Sequence, residues 1–346
     1  VNNTSTLRGI FLQTALNANV TVRLNTITIK GGGTTSQIAA IESTTGGTGT
    51  NNTLNISNNT ITGCTYTTAT SGVFYGIYHA SSAAFNLKMN GNIFNNNSTN
   101  AASGTWASVW NSAAIINSIS MDSNTNDIST TMFTAASTSA TVYYGPYNTG
   151  GAATTVFTMN YNTVTGTTTS GITFNGATGG TGAQYFLYNT ASMLGDSTIG
   201  NTINNVSLKN SGTWYFIYHN AGLRENGKRN FRNNTISNIT RTAGTGTTYG
   251  HYTTGTGTLP GTHVITVSGN TFTNISNNNG TTYAMWFLDG GSSPYPVKYV
   301  FNNEVNNVTN ASTFYGLYVS GLGNGTSGVR SQVYNNNVRD ITASGT

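Results

Sequence analysis

Charge is what this chain has least of. Eight acidic and 13 basic residues are spread over 346 positions, 6% of the whole. Disordered chains combine high charge with few aromatics, and here aromatics reach 11%, so the composition points to an ordered protein. The net charge of +5 is thin for this length. A nucleic-acid binder carries a basic stripe interleaved with aromatics. The one basic cluster, Arg224, Lys228, Arg229 and Arg232 around Glu225, reads as a solvated corner, so no nucleic-acid partner is expected. A single cysteine, Cys64, excludes an internal disulfide. Four prolines and no sustained helical period leave strands as the building material. No run of 18 apolar residues exists, so no membrane insertion is expected, and the opening Val1-Asn-Asn-Thr-Ser-Thr-Leu-Arg8 lacks a signal-peptide pattern.

What the chain has in abundance is repetition. Asn234-Thr-Ile-Ser-Asn-Ile-Thr240 returns as Asn59-Thr-Ile-Thr-Gly-Cys-Thr65, Asn162-Thr-Val-Thr-Gly-Thr-Thr168 and Asn201-Thr-Ile-Asn-Asn-Val-Ser207. It returns again from Asn270, Asn303 and Asn336, with weaker copies from Asn25, Asn92 and Asn124, the last one residue out of register. Asn25 and Asn336 lie 311 residues apart, nine steps of about 35. A fixed period in this range marks a solenoid, which grows by stacking units and needs no separate cores. The expected organisation is one solenoid over residues 1–346, with about ten coils of roughly 30–40 residues. Both ends fall at about the same phase of the repeat with no atypical capping unit, which suggests a section of a longer chain.

Each coil divides into three short strands. The first carries an aromatic signature, as in Tyr75-Gly-Ile-Tyr78, Tyr215-Phe-Ile-Tyr218 and Tyr315-Gly-Leu-Tyr318. The second alternates, as in Phe85-Asn-Leu-Lys-Met89, the period-2 pattern of a strand with one buried face. The third is the repeated motif, with Ile236 and Ile239 inward and Thr235 and Ser237 outward. A spacing of three cannot stay on one face of a flat strand, so the chain must bend between the two isoleucines. The residue before the second apolar position is Asn205, Asn238, Asn274, Asn307, Asp340, Gly63 or Gly166. These types tolerate the left-handed backbone, which makes the position a corner. Cys64 occupies the slot of Ile239, Val206, Ile275 and Val308, and so reads as a small core residue.

The leading asparagine follows the second strand. Stacked coils bring equivalent side chains about 4.8 Å apart, where each amide can donate to one neighbour and accept from the other. Asn25, Asn59, Asn92, Asn162, Asn201, Asn234, Asn270, Asn303 and Asn336 are the expected rungs of such a ladder. Strand, asparagine turn and strand, with aliphatic columns at fixed offsets, resemble the right-handed parallel β-helix of pectin-lyase-like proteins. The Asn/Thr/Gly-rich style resembles bacterial cell-surface adhesins.

Enzymes of the resembled fold are mostly polysaccharide lyases and glycoside hydrolases. Hydrolysis of a glycosidic bond needs two carboxyl groups within about 5–10 Å. The eight acids are Glu42, Asp122, Asp127, Asp196, Glu225, Asp289, Glu304 and Asp340; they are scattered and read as solvated turn acids. His79, His219, His251 and His263 are too dispersed for a two-histidine metal motif. No catalytic residue, metal or cofactor is expected. The last aromatic of the first strand forms a column: Tyr78, Trp110, Tyr147, Tyr188, Tyr218, Tyr252, Trp286 and Tyr318. Facing outward, it is a strip for stacking on surface glycans; facing inward or under loops, it is core, and the inward or covered arrangement is preferred. Thr-x-Thr pairs at Thr26/Thr28, Thr60/Thr62, Thr163/Thr165 and Thr271/Thr273 resemble an interrupted ice-binding array. The resulting expectation is a non-catalytic stalk, filament or adhesin segment, extracellular or at the cell surface. Its partners would be the rest of a longer chain or subunits stacked end to end. A carbohydrate-binding or polysaccharide-degrading β-helix and an ice-binding protein are the alternatives.

Overall fold

Each repeat closes into one turn of a parallel β-solenoid. The computed structural model describes residues 5–13, 17–47, 49–50, 52–80, 83–129, 133–135, 140–166, 180–255, 263–288, 295–322 and 330–344. Among them there is no helix; three ten-stranded parallel sheets run side by side along the molecule. Every strand pairs with its equivalent one coil away, as Thr202–Leu208 does with Thr235–Arg241, and that strand with Thr271–Asn277. Ten strands at the parallel-sheet spacing give an axial length of about 43 Å. The three faces are named below for what they carry: aromatic, middle and ladder.

The core is the interior of the stack. One coil contributes Phe216 and Ile217 from the aromatic face, Phe231 from the middle face, and Ile236 and Ile239 from the ladder face, all buried. Cys64 is fully buried in its expected slot, and its Sγ accepts a hydrogen bond from the Ile29 N–H. Where the ladder face supplies a larger ring, the aromatic face gives way. A Cβ on Gly76 would lie 2.4 Å from Phe94 Cε1 and 2.5 Å from the Ser108 carbonyl oxygen.

The bend between the two inward ladder-face residues is left-handed, as its residue types require. Asn205, Asn238, Asn274, Asn307, Asp340 and Gly63 have φ between 51° and 62°. Gly166, the seventh such position, ends a described segment. A second left-handed corner lies immediately before the leading asparagine in every copy. It is formed by Leu24, Asn58, Gly91, Ser123, Tyr161, Gly200, Asn233, Gly269, Asn302 and Asn335.

Three sequence expectations need correction. Asn124 is not out of register: Thr125 pairs with Ile93 and with Thr163, so Asn124 stacks as a tenth rung. The coil instead drops its corner, since Ile128 follows Asp127 directly and Asn126 takes the inward place. The basic cluster is not wholly solvated, because Arg229 is 1% exposed and points into the core. Nor are all the acids solvated: Glu42 and Asp196 are buried. Glu42 accepts from Arg8 Nε at 2.5 Å and Gln37 Nε2 at 2.9 Å. Asp122 lies outside the strands and accepts the Asn160 N–H, and Asp127 ends the strand Thr125–Asp127 and accepts the Ser129 N–H. Asp289 lies outside the described residues.

Candidate functional site

The asparagines form a continuous column. Asn59, Asn92, Asn124, Asn162, Asn201, Asn234, Asn270 and Asn303 are all buried. From Asn25 to Asn336, each Nδ2 donates to Oδ1 of the next rung at 2.8–3.2 Å. The rung's backbone N–H donates to the same oxygen, for example Asn162 to Asn201 at 2.8 Å. The second amide hydrogen goes back to the previous coil, as from Asn234 to the Thr198 carbonyl at 2.8 Å. In rungs such as Asn234 both amide hydrogens and the acceptor are therefore satisfied, which removes the cost of burying them. A shorter outer ladder joins the corner residues Asn238, Asn274 and Asn307 and ends on Asn204, the residue before the corner Asn205.

The aromatic residues face outward, contrary to the preferred expectation. The Tyr-x-x-Tyr strand bulges so that both rings leave the core while the intervening residues enter it. Ile77, Val109, Leu187 and Ile217 are buried, and the rings of Tyr75 and Tyr78 stack on the outside at 4.4 Å. Two columns result. One runs through Tyr144, Tyr185, Tyr215, Tyr249, Tyr283 and Tyr315; the other is the column foreseen from the sequence, Tyr78 to Tyr318. Rings in successive coils are nearly parallel in the middle of the stack, with Tyr185 and Tyr215 at 5.0 Å and 5° and Tyr188 and Tyr218 at 4.9 Å and 7°, and tilted around Trp110. Tyr75, Tyr188 and Tyr218 are buried and most other rings half-buried, while Tyr315 and Tyr318 at one end are exposed. Polar tips of the second column reach the next coil's rim: Trp110 Nε1 donates to Thr149, and Tyr218 Oη shares a hydrogen bond with Thr254 Oγ1 at 3.3 Å. Burial comes first in raising the tyrosine hydroxyls, with like-charge repulsion from neighbouring phenols second; Tyr249 is pushed up to about 12.

Threonines form an outward column on the ladder face. Thr125, Thr163, Thr202, Thr235 and Thr271 stand in register, with Ile93 and Glu304 at either end of that run.

Sequence reasoning missed a cluster of charges inside the solenoid. Asp196 Oδ2 accepts from His219 Nδ1 at 2.7 Å and Arg229 Nε at 3.0 Å, with Asn189 Nδ2 at 3.4 Å. Arg229 also donates through Nη2 to the Ala221 carbonyl at 2.6 Å. His219 Nε2 and Thr198 Oγ1 share a hydrogen bond of 3.1 Å. Burial works to raise the Asp196 carboxyl, yet attraction and hydrogen bonds from His219 and Arg229 hold it below its usual range. A buried column, Asn111, Asn148 and Asn189, leads to it through amide contacts of 2.8 and 2.9 Å. The signal was present in the repeat. Asp196 and Arg229 occupy the same strand position one coil apart, in a column that also carries Leu87, Ile119, Phe157, Ile265 and the buried Lys298. Opposite charges at one inward position predict a pair.

Aspartate, histidine and hydroxyl in a line is the arrangement that activates a nucleophile. Here Asp196 is 3% exposed and His219 and Thr198 not at all, so no substrate meets the hydroxyl. The other histidines are interior too. His79 donates through Nδ1 to the Ser43 carbonyl, and His263 is buried; His251 packs on Phe231 with neither ring nitrogen hydrogen-bonded. Among the described residues, no three His, Cys, Asp or Glu side chains gather as a metal-holding group. None of their helices could cross a membrane, since they form none. No protein family, curated protein or solved structure matches the chain.

Proposed function

We propose that this chain is a non-catalytic structural segment: a stiff rod of a secreted or cell-surface bacterial protein. Its architecture resembles pectin-lyase-like solenoids, and its composition resembles Asn/Thr/Gly-rich adhesins. The observation that carries this reading is the unbroken asparagine column, in which the most recurrent polar group of the sequence is consumed by coil-to-coil bonding. The Asp196–His219–Thr198 line supports it, because those reactive side chains are spent in the core. In this reading the rod holds apart what lies at its two ends, the remainder of a longer chain or stacked subunits.

The outward aromatic face favours one second reading, contact with a surface glycan. Against it stands the ring geometry. A sugar ring stacks on an open aromatic face, whereas these faces are covered by the rings of the coils on either side. Excision of residues 201–269, two whole repeats, from the surface protein tests the spacer. The excision should shorten its reach by about 10 Å and leave binding at its ends unchanged. Glycan-array binding by the chain alone, lost on Tyr218→Ala and Tyr252→Ala, would overturn the spacer in favour of the glycan reading.

A further inference from the structure

The outer tyrosines are unusual in their continuity. Tyr144, Tyr185, Tyr215, Tyr249, Tyr283 and Tyr315 follow one another without a gap, at centroid distances of 4.8–5.1 Å and within 11° of parallel. Tyr147, Tyr188, Tyr218 and Tyr252 follow beside them at 4.8–5.0 Å, the first two pairs within 7° of parallel and Tyr218–Tyr252 at 24°. On the inner side of the same strands the rings are mostly phenylalanine, Phe74, Phe186 and Phe216, with Tyr143 a fully buried phenol among them, while the column phenols stand on the outer side. We propose that these two columns are a site of oxidative phenol coupling, in which carbon–carbon bonds between rings of successive coils staple the solenoid along its axis. The inference rests on ring geometry and holds whether or not the chain serves as a spacer.

The co-reactant is hydrogen peroxide acting through a peroxidase, or an equivalent one-electron oxidant. Each ring gives up one electron and its phenolic proton, which passes to water, and becomes a neutral phenoxyl radical. Tyr315, 41% exposed, offers the oxidant an entry, and its neighbour Tyr283 lies 4.9 Å away. Electron exchange between identical adjacent phenols moves the radical along the column. Two radicals on stacked rings join ortho carbon to ortho carbon, and the two displaced ring hydrogens move to the phenolic oxygens as aromaticity returns. Two electrons and two protons leave per bond; one peroxide takes them up and becomes two waters. Burial keeps the rings protonated at neutral pH, so the reacting species is the phenol.

The test treats the dilute full chain with a haem peroxidase and hydrogen peroxide, then digests it and maps linked peptides by mass spectrometry. Links Tyr185–Tyr215, Tyr215–Tyr249 and Tyr188–Tyr218 are expected within a single chain, each lighter by two hydrogen atoms, with dityrosine fluorescence. Tyr215→Phe should remove the first two and keep the third, which also reports that the variant retains its stack. Tyr161, Tyr295 and Tyr334 are exposed at 63%, 41% and 44% and stand outside the columns. Links concentrated on those three, links only between chains, or links only within one strand (Tyr215 with Tyr218) would each overturn the proposal. Oxygen addition without linkage would do so too.

Discussion

Asn201 sets two donors on one oxygen of Asn234: its backbone N–H at 3.0 Å and its Nδ2 at 2.8 Å. Asn234 in turn donates to Thr198 and to Asn270. Asn234→Leu therefore strands two donors of Asn201 and the carbonyl of Thr198 in the core. With buried unpaired groups costing about 1–3 kcal/mol each, a loss of about 3 kcal/mol or more is expected in urea unfolding. Asn25→Leu at the exposed end should cost well under half of that. Equal losses would count against the column.

Asp196→Ala leaves Arg229 charged and enclosed, and should destabilise by about 3–5 kcal/mol. Asp196→Leu combined with Arg229→Met restores an apolar pair at positions where neighbouring coils carry Phe157 and Ile265. The double variant is expected to regain most of the loss, as buried ion pairs replaced by apolar residues often do. A double variant as unstable as Asp196→Ala would show that the charges do more than fill space.

His251 makes the fold sensitive to mild acid. Desolvation, aided by repulsion from His219, pushes its imidazole down to about 3. The unfolded chain takes up this proton near pH 6.5, so stability is complete above that value and drains away as pH falls toward 3. Asp196 adds a loss at lower pH, since its depressed carboxyl stabilises the fold only while ionised. His251→Phe should flatten the melting temperature between pH 7 and pH 5, measured by circular dichroism. An unchanged slope would show that His251 is not the acid-sensitive group.

Tyr218→Ala removes a ring stacked between Tyr188 at 4.9 Å and Tyr252 at 5.0 Å. At about 0.5–1.5 kcal/mol per aromatic pair, a loss of roughly 1–3 kcal/mol is expected. Tyr218→Phe keeps the stack and gives up only the Thr254 contact, so its thermal melt should lie close to that of the parent. A Phe variant as weak as the Ala variant would move the stabilisation from the ring to the hydroxyl.

The ladder and the corner at Asn238 were legible because each demands a narrow chemistry. Only a short amide can donate and accept at that spacing, and only Asn, Asp or Gly adopt φ near 55° readily. The second corner was hidden, because Leu24, Ser123 and Tyr161 hold the same left-handed backbone as Asn58 and Gly91. There the neighbouring ladder bonds override local preference. The outward aromatic face departs from simple strand alternation through Tyr215-Phe-Ile-Tyr218, where Phe216 and Ile217 are both buried. The strand bulges, which sends residues three apart to the same side. The Asp196–Arg229 pair was missed because each residue was weighed alone rather than against its equivalent one coil away.

Every amide in the column points the same way, its N–H end toward the higher-numbered coil and its oxygen toward the lower. Small dipoles aligned in series add, as they do along a helix axis, and hydrogen-bonded chains polarise one another. The molecule is thus an electrically directional object, with a positive sense toward Asn336 and a negative sense toward Asn25. A coil inserted backwards would meet donors with donors, so growth and repair of such a structure have a single permitted orientation.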